Sequence, residues 1–302
     1  MTVNIPGPGP GPVRGRITAA FTDAGTTGAL CATDIDTGDT VALGADTPVS
    51  TASVHKLCLV ATLYREAAAG RLDPAAPLDI PAEGRAPGPT GLAVMRDAAR
   101  LSARDLASLA IAVSDNAAAD VLWAYVGLDT VNATMRALGL TRTVAVHDQA
   151  ALYATMLTDA GSGGPAALVD PAAVARLTVL DPARTNRSTP REMAALLRAV
   201  WRDEVCGGVW GDELRAVLGV QAWSHRLASG FPFDDVRVSG KTGSLPTQRH
   251  EAGVVEYPDG GRYAVAVFTR AASTAATLPA ADAAVGRAAR IAVDALRARP
   301  SH

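Results

Sequence analysis

The chain has 302 residues, 48% of them hydrophobic, and 28 lysines and arginines against 30 aspartates and glutamates leave a net charge of -2. That size and composition bury a large core, as one domain or two intimate lobes, while the balanced charge lacks the footprint of a nucleic-acid or membrane-surface binder. No stretch approaches the ~18 uninterrupted apolar residues of a membrane span, so the expected partner is a small molecule and the expected state a monomer, with no nucleic acid and no membrane.

The opening MTVNIPGPGPGPVRG has no basic residue before Arg14 and no apolar signal-peptide core. Its Gly-Pro repeat reads as a disordered leader over residues 1–15, and a cytoplasmic protein is expected, or a secreted one if the natural chain starts elsewhere. Thr26 to Asp34 and Thr40 to Leu43 read as strands around the turn Asp36-Thr37-Gly38-Asp39. Leu57, Val60, Ala61 and Tyr64 then fall at helical spacing, which predicts a helix from near Ser53 to Gly70 with Ser53 in its first turn.

A Pro/Gly loop from Asp73 to Gly91 leads to a second helix, capped by Ser102 with Asp105, whose end delivers Ser114-Asp115-Asn116. Helical patterns continue over Ala117 to Val126 and Asp129 to Leu138, and Thr189-Pro190 opens another helix after an irregular region from Thr141 to Thr185. Period two returns in Val236 to Leu245, Glu251 to Tyr257 and Tyr263 to Thr269, before a last helix from Pro279 to about Arg299. Strands at both ends with helices between predict one mixed sheet: an α/β lobe of residues 16–52 and 190–302, with residues 53–189 inserted as a helical lobe. Cys31, Cys58 and Cys206 are scattered without metal-ligand spacing and read as small core residues in a reducing compartment.

Lysine is used twice only, at Lys56 and Lys241, so nearly every cation is arginine. Arginine stays protonated, whereas a desolvated lysine amine can lose its proton and act as a base. Lys56 follows Ser53 by three positions at a helix start, so the two side chains share a face, and the free N-H groups there suit a developing oxyanion. His55 points away from that face, and no G-x-S-x-G elbow accompanies it. Lys241 lies in Ser239-Gly240-Lys241-Thr242-Gly243-Ser244, where a glycine inside a strand signals close approach of another backbone or a ligand.

Ser53-Val54-His55-Lys56, Ser114-Asp115-Asn116 and Lys241-Thr242-Gly243, in that order, form the Ser-x-x-Lys, Ser-Asp-Asn and Lys-Thr-Gly set. The sequence resembles the class A serine β-lactamase family over nearly its whole length, from about Arg16 to the C-terminal helix. The resemblance implies a serine β-lactamase/D,D-peptidase-like α+β fold: an antiparallel five-stranded sheet from both termini, flanked by helices, with an all-helical insertion. It implies that Ser53 is the acylated nucleophile, Lys56 its base or proton relay, and Ser114 the group passing a proton to the leaving nitrogen. Asn116 would bind the substrate amide, and Lys241 with Thr242 the substrate carboxylate, aided by Arg249 or His250. The backbone N-H groups of Ser53 and Ser244 would form the oxyanion hole. No metal or organic cofactor is implied.

The family's Ω loop supplies a deacylating glutamate in a Glu-x-x-Leu-Asn motif, yet this chain has no glutamate between Glu83 and Glu192. The carboxylates available are Asp148, Asp159, Asp170 and Asp181, with Asp170 nearest the expected place. The acylation parts are thus expected to be present and water activation to be impaired, a loss of about 100 to 10,000-fold. Three readings follow: a β-lactamase-like serine hydrolase with slow deacylation, an esterase, amidase or acyl transferase of small metabolites, and a covalent β-lactam sensor without turnover.

Overall fold

In the computed structural model, which describes residues 10–298, helix α1 (Pro10–Asp23) precedes a hairpin of β1 (Thr26–Asp34) and β2 (Thr40–Leu43). A short strand β3 (Val49–Ser50) and a 3-10 turn (Ala52–His55) lead into α2 (Lys56–Ala68). The hairpin β4 (Pro77–Ile80) and β5 (Ala99–Ser102) is followed by α3 (Ala103–Ala112), α4 (Asn116–Val126), α5 (Leu128–Ala137), α6 (Gln149–Ala160) and α7 (Pro171–Val174). Strand β6 (Arg187–Ser188) pairs back with β3, then α8 (Pro190–Trp201) and α9 (Gly208–Leu218) precede β7 (Arg237–Leu245), β8 (Gln248–Glu256), β9 (Arg262–Ala271) and α10 (Pro279–Arg297).

The main sheet has the order β2-β1-β9-β8-β7, so the N-terminal hairpin docks on the last strand and the two ends of the chain close one sheet. Every pairing in it is antiparallel, as the family resemblance implies for a five-stranded sheet from both termini, rather than mixed as the order of strands and helices alone suggests. Side chains alternate across it as a pleated strand requires. Val265 and Val267 of β9 face α1 and α10 with Ile17, Phe21, Val285 and Val293. Ala264, Ala266 and Phe268 face the helical lobe with Met193 and Leu197 of α8 and Leu59 and Leu63 of α2.

Helix α2 is buried on nearly every face, its polar Lys56, Thr62 and Glu66 included, and so forms the axis of the helical lobe. The expected disordered leader of residues 1–15 is corrected over residues 10–15, because α1 begins at Pro10 and buries Val13, Ile17 and Phe21; its residues 1–9 lie outside the described residues. Helix α6 falls in the stretch that gave no readable periodicity. Its buried residues are Gln149, Leu152, Met156 and Ala160, a stripe too thin and too polar to stand out. Among the described residues no helix is long and apolar enough to cross a membrane.

Candidate active site

Ser53 sits in the 3-10 turn ahead of α2, where Val54 N-H donates to Thr51 O at 3.0 Å. Ala52 takes a left-handed φ of 48°, a conformation that costs an L-residue energy and recurs at sites the surrounding structure over-determines. The edge strand β7 passes close to this turn, with Gly243 against Thr51 O and Val54 N. That approach brings Ser244 beside Ser53, so both line the same cleft.

Lys56 lies behind Ser53 and is fully buried. Its Nζ donates to Ser114 O at 2.7 Å, Asn116 Oδ1 at 2.8 Å, Asp115 O at 3.2 Å and Ser114 Oγ at 3.4 Å, all from the segment joining α3 to α4. Ser114 presents that carbonyl by adopting a left-handed φ of 60°. Burial lowers the amine to about 7, opposed by the charges of Asp115 and Asp120. An amine in that range accepts a proton at neutral pH and returns it. His55 packs against Trp123 instead, with burial lowering its imidazole to about 3, and therefore stays neutral.

One arm of the cleft, a cavity of about 340 Å³, is lined by Ser53, Ser114, Asn116, Trp223, His225, Arg226, Thr242 and Ser244. Lys241 is buried beneath it, its Nζ 2.8 Å from Thr242 O. Burial and the charge of Lys56 push that amine well down. The expected cation of this arm, Arg249, is instead turned away: its guanidinium donates to Leu245 O, Gln248 O and Ala276 O. His250 is also buried, on the opposite face of β8, its Nδ1 accepting from Thr269 N-H of β9. Arg226 takes the place by the cleft, donating to Ser244 Oγ at 2.7 Å and to Gly243 O at 2.9 Å, while Asp282 holds its Nε at 2.7 Å. It comes from the irregular segment before β7, where strand alignment gave no signal.

The second arm, about 490 Å³, runs from Ser53 past Asn116 to Gln149, Leu152, Tyr153, Met156 and Leu245. None of the four candidate aspartates lines it. Asp148 and Asp170 cap α6 and α7, Asp159 accepts from the N-H and hydroxyl of Thr178, and Asp181 accepts from Ala183 N-H, so all four are engaged in holding the chain, away from Ser53. Lining the cleft instead are Gln149, Leu152 and Tyr153 of Gln149-Ala150-Ala151-Leu152-Tyr153, which keeps the spacing and the leucine of Glu-x-x-Leu-Asn with a carboxamide in place of the carboxylate and tyrosine in place of the asparagine. Allowing glutamine for glutamate would have revealed it in the sequence. Gln149 is buried, and its Nε2 has no hydrogen-bond partner among the described residues.

The sheet closed from both termini, the inserted helices and the Ser53–Lys56–Ser114 cluster define a serine hydrolase-like protein of the β-lactamase and penicillin-binding class. The profile described as the Beta-lactamase enzyme family matches residues 12–296, and the chain belongs to that family. It is 33% identical over 299 residues to the "Beta-lactamase regulatory protein BlaB" of Streptomyces cacaoi, covering 92% of this chain and 95% of that one. Among solved structures it is similar to the β-lactamase of Sphaerobacter thermophilus DSM 20745, with a TM-score of 0.76, 26% identity and coverage of 95% and 99% of the two chains. It shares its fold with a point mutant of PBP-A, solved as an acyl-enzyme complex with penicillin G, at a TM-score of 0.76 and 19% identity over 95% and 97% of the chains.

Proposed function

We propose that Ser53 is acylated by β-lactams and that the acyl-enzyme deacylates slowly. Ser53 Oγ attacks the lactam carbonyl while Lys56 takes its proton, and the N-H groups of Ser53 and Ser244 receive the oxyanion. The lactam C-N bond then breaks, with Ser114 delivering a proton to the nitrogen; its Oγ lies 3.4 Å from Lys56 Nζ, which supports a relay between them. Asn116 binds the acyl amide, and Thr242 and Arg226 receive the ligand's carboxylate, with Lys241 buried beneath Thr242.

The observation that carries the reading is Gln149. Among the described residues that line the cleft there is no carboxylate, and a neutral carboxamide holds a water by hydrogen bonds without taking its proton. A sensing role fits the same chemistry, and similarity to a protein named as a β-lactamase regulator favours it over efficient hydrolysis. Mixing the protein with a chromogenic cephalosporin and following intact mass and product is expected to give one equivalent of product and a persistent adduct, both absent in Ser53→Ala. Gln149→Glu is expected to raise turnover by about 100-fold or more. Rapid multiple turnover by the unaltered chain would overturn slow deacylation; absence of any adduct would overturn β-lactam recognition and leave simple esters as the substrates to test.

A further inference from the structure

Thr242 carries one hydroxyl hydrogen, and the structure points it away from the cleft. Its Oγ1 donates to Gln221 Oε1 at 3.4 Å, and Gln221 Nε2 donates to Glu251 Oε1 at 3.2 Å. Glu251 stands opposite Thr242 across the β7–β8 ladder, 1% exposed, and its Oε2 accepts from Leu227 N-H at 2.8 Å. An ionised carboxylate only accepts, so it fixes the amine end of Gln221 toward itself and the oxygen end toward Thr242. Thr242 is then left with lone pairs alone to present to an incoming carboxylate.

Protonation of Glu251 on Oε1 reverses each step. The new O-H donates to Gln221 Oε1 once the carboxamide turns over about its terminal bond. Nε2 then donates to Thr242 Oγ1, and the hydroxyl hydrogen is free to enter the cleft. The proton moves only onto Glu251, and no covalent bond in Gln221 or Thr242 changes. We infer that Gln221 is a rotatable relay through which the protonation state of Glu251 decides whether Thr242 donates a hydrogen bond to the ligand's carboxylate. The inference rests on the proposed reading of the Arg226–Thr242 arm as the carboxylate site.

The switch falls in the neutral range, because burial raises Glu251 to about 7 against the opposing Leu227 N-H, Arg226, Lys241 and Gln221. The charged groups around it are Arg226 ahead of the Leu227–Gly230 turn, Lys241 on β7 and Arg249 two residues earlier on the same face of β8, with Asp282 of α10 paired to both arginines. Its β9 neighbour is Val267, and His250 and Ala252 on its own strand alternate to the other face.

The test is the pair of Gln221 side-chain amide protons followed by NMR from pH 5.5 to 8.5, assigned by their loss in Gln221→Met. They are expected to titrate with a midpoint near neutrality in the unaltered chain, and in Glu251→Gln to stay at the low-pH position, since a carboxamide there also donates to Gln221 Oε1. Resonances that do not move, or that still titrate in Glu251→Gln, would overturn the relay. A second readout is the ratio of acylation rate constants for a penicillin and its methyl ester. The ratio is expected to rise by about tenfold as pH falls from 8 to 6, the worth of one hydrogen bond to a charged group, and to be independent of pH in Glu251→Gln. An unchanged ratio in the native chain would also count against the relay. Failure of both ligands to form any adduct would sink the proposed function instead, and the amide titration would still decide the relay.

Discussion

Asp120 holds Gln149 in place: the backbone N-H of Gln149 donates to Asp120 Oδ1 at 2.6 Å, and the next N-H, of Ala150, donates to Oδ2 at 2.9 Å. Asp120 lies four residues after Asn116 on α4, one turn along the same face. One helix therefore positions both the Asn116 amide beside Lys56 and the start of α6 that overhangs Ser53. Burial and the neighbouring charge of Asp148 raise the Asp120 carboxyl to about 6, against the lowering by the two N-H groups and Lys56. The folded chain thus binds this proton more tightly than the unfolded chain does. The contribution of Asp120 to stability is present at low pH and falls as pH rises from about 4 toward and through 6. Asp120→Asn keeps one acceptor oxygen and removes the charge. Thermal unfolding is expected to favour the variant over the native chain by ~2 °C more at pH 8 than at pH 5. A difference that does not change with pH would mean that the carboxylate carries no net charge penalty.

Lys56 sets a second pH dependence of opposite use. Burial lowers its amine to about 7, and in the proposed reaction only the neutral form takes the Ser53 proton. Acylation is expected to rise by about tenfold from pH 6 to pH 8 and then level off. Arginine fits the charge and never yields its proton, so Lys56→Arg is expected to slow acylation by about 100 to 10,000-fold. Quenched-flow mass spectrometry of the adduct checks both. Acylation by Lys56→Arg at the native rate would place the base elsewhere. The penicillin-to-ester ratio used for Glu251 cancels this dependence, since both ligands need the same base.

The parts of the site that sequence made legible are those whose chemistry is local. Ser53 and Lys56 are one turn apart, and the two lysines stood out because every other cation is arginine. The strands β1 and β2 were legible to the residue, since a turn between two period-two runs leaves few alternatives. What stayed hidden depends on tertiary placement. Arg226 reaches the cleft from an irregular segment because Asp282 of the distant α10 and the carbonyls of Gly243 and His250 aim it there. Arg249, by contrast, lies on β8 just ahead of the strand expected from Glu251, and its guanidinium is taken up by backbone carbonyls away from the cleft. Gln149 was hidden by its own neutrality, since a search for a base passes over a carboxamide.

Gly243 and Gly240 explain why two glycines interrupt a strand that otherwise needs side chains. A Cβ on Gly243 would lie 2.9 Å from Thr51 O and Val54 Cγ2 and 3.1 Å from Val54 N, in the turn that carries Ser53. Two of those atoms are backbone and have no rotamer to escape into, so Gly243→Ala must push the turn outward and Ser53 with it. A Cβ on Gly240 would meet Ala252 O at 2.5 Å and Gly253 Cα at 2.6 Å, in the neighbouring strand and away from Ser53. The two substitutions are therefore expected to separate stability from chemistry. Each costs about 1 to 3 kcal/mol of overpacking, with Gly240→Ala the larger loss in thermal unfolding because its contacts are closer. Gly243→Ala is expected to slow acylation by about 100-fold, the scale of a misplaced nucleophile, whereas the folded fraction of Gly240→Ala keeps within about threefold of the native rate. Equal losses of acylation in both variants would mean that β7 moves as a rigid unit, and that the approach of Gly243 to the Ser53 turn has no separate role in placing the nucleophile.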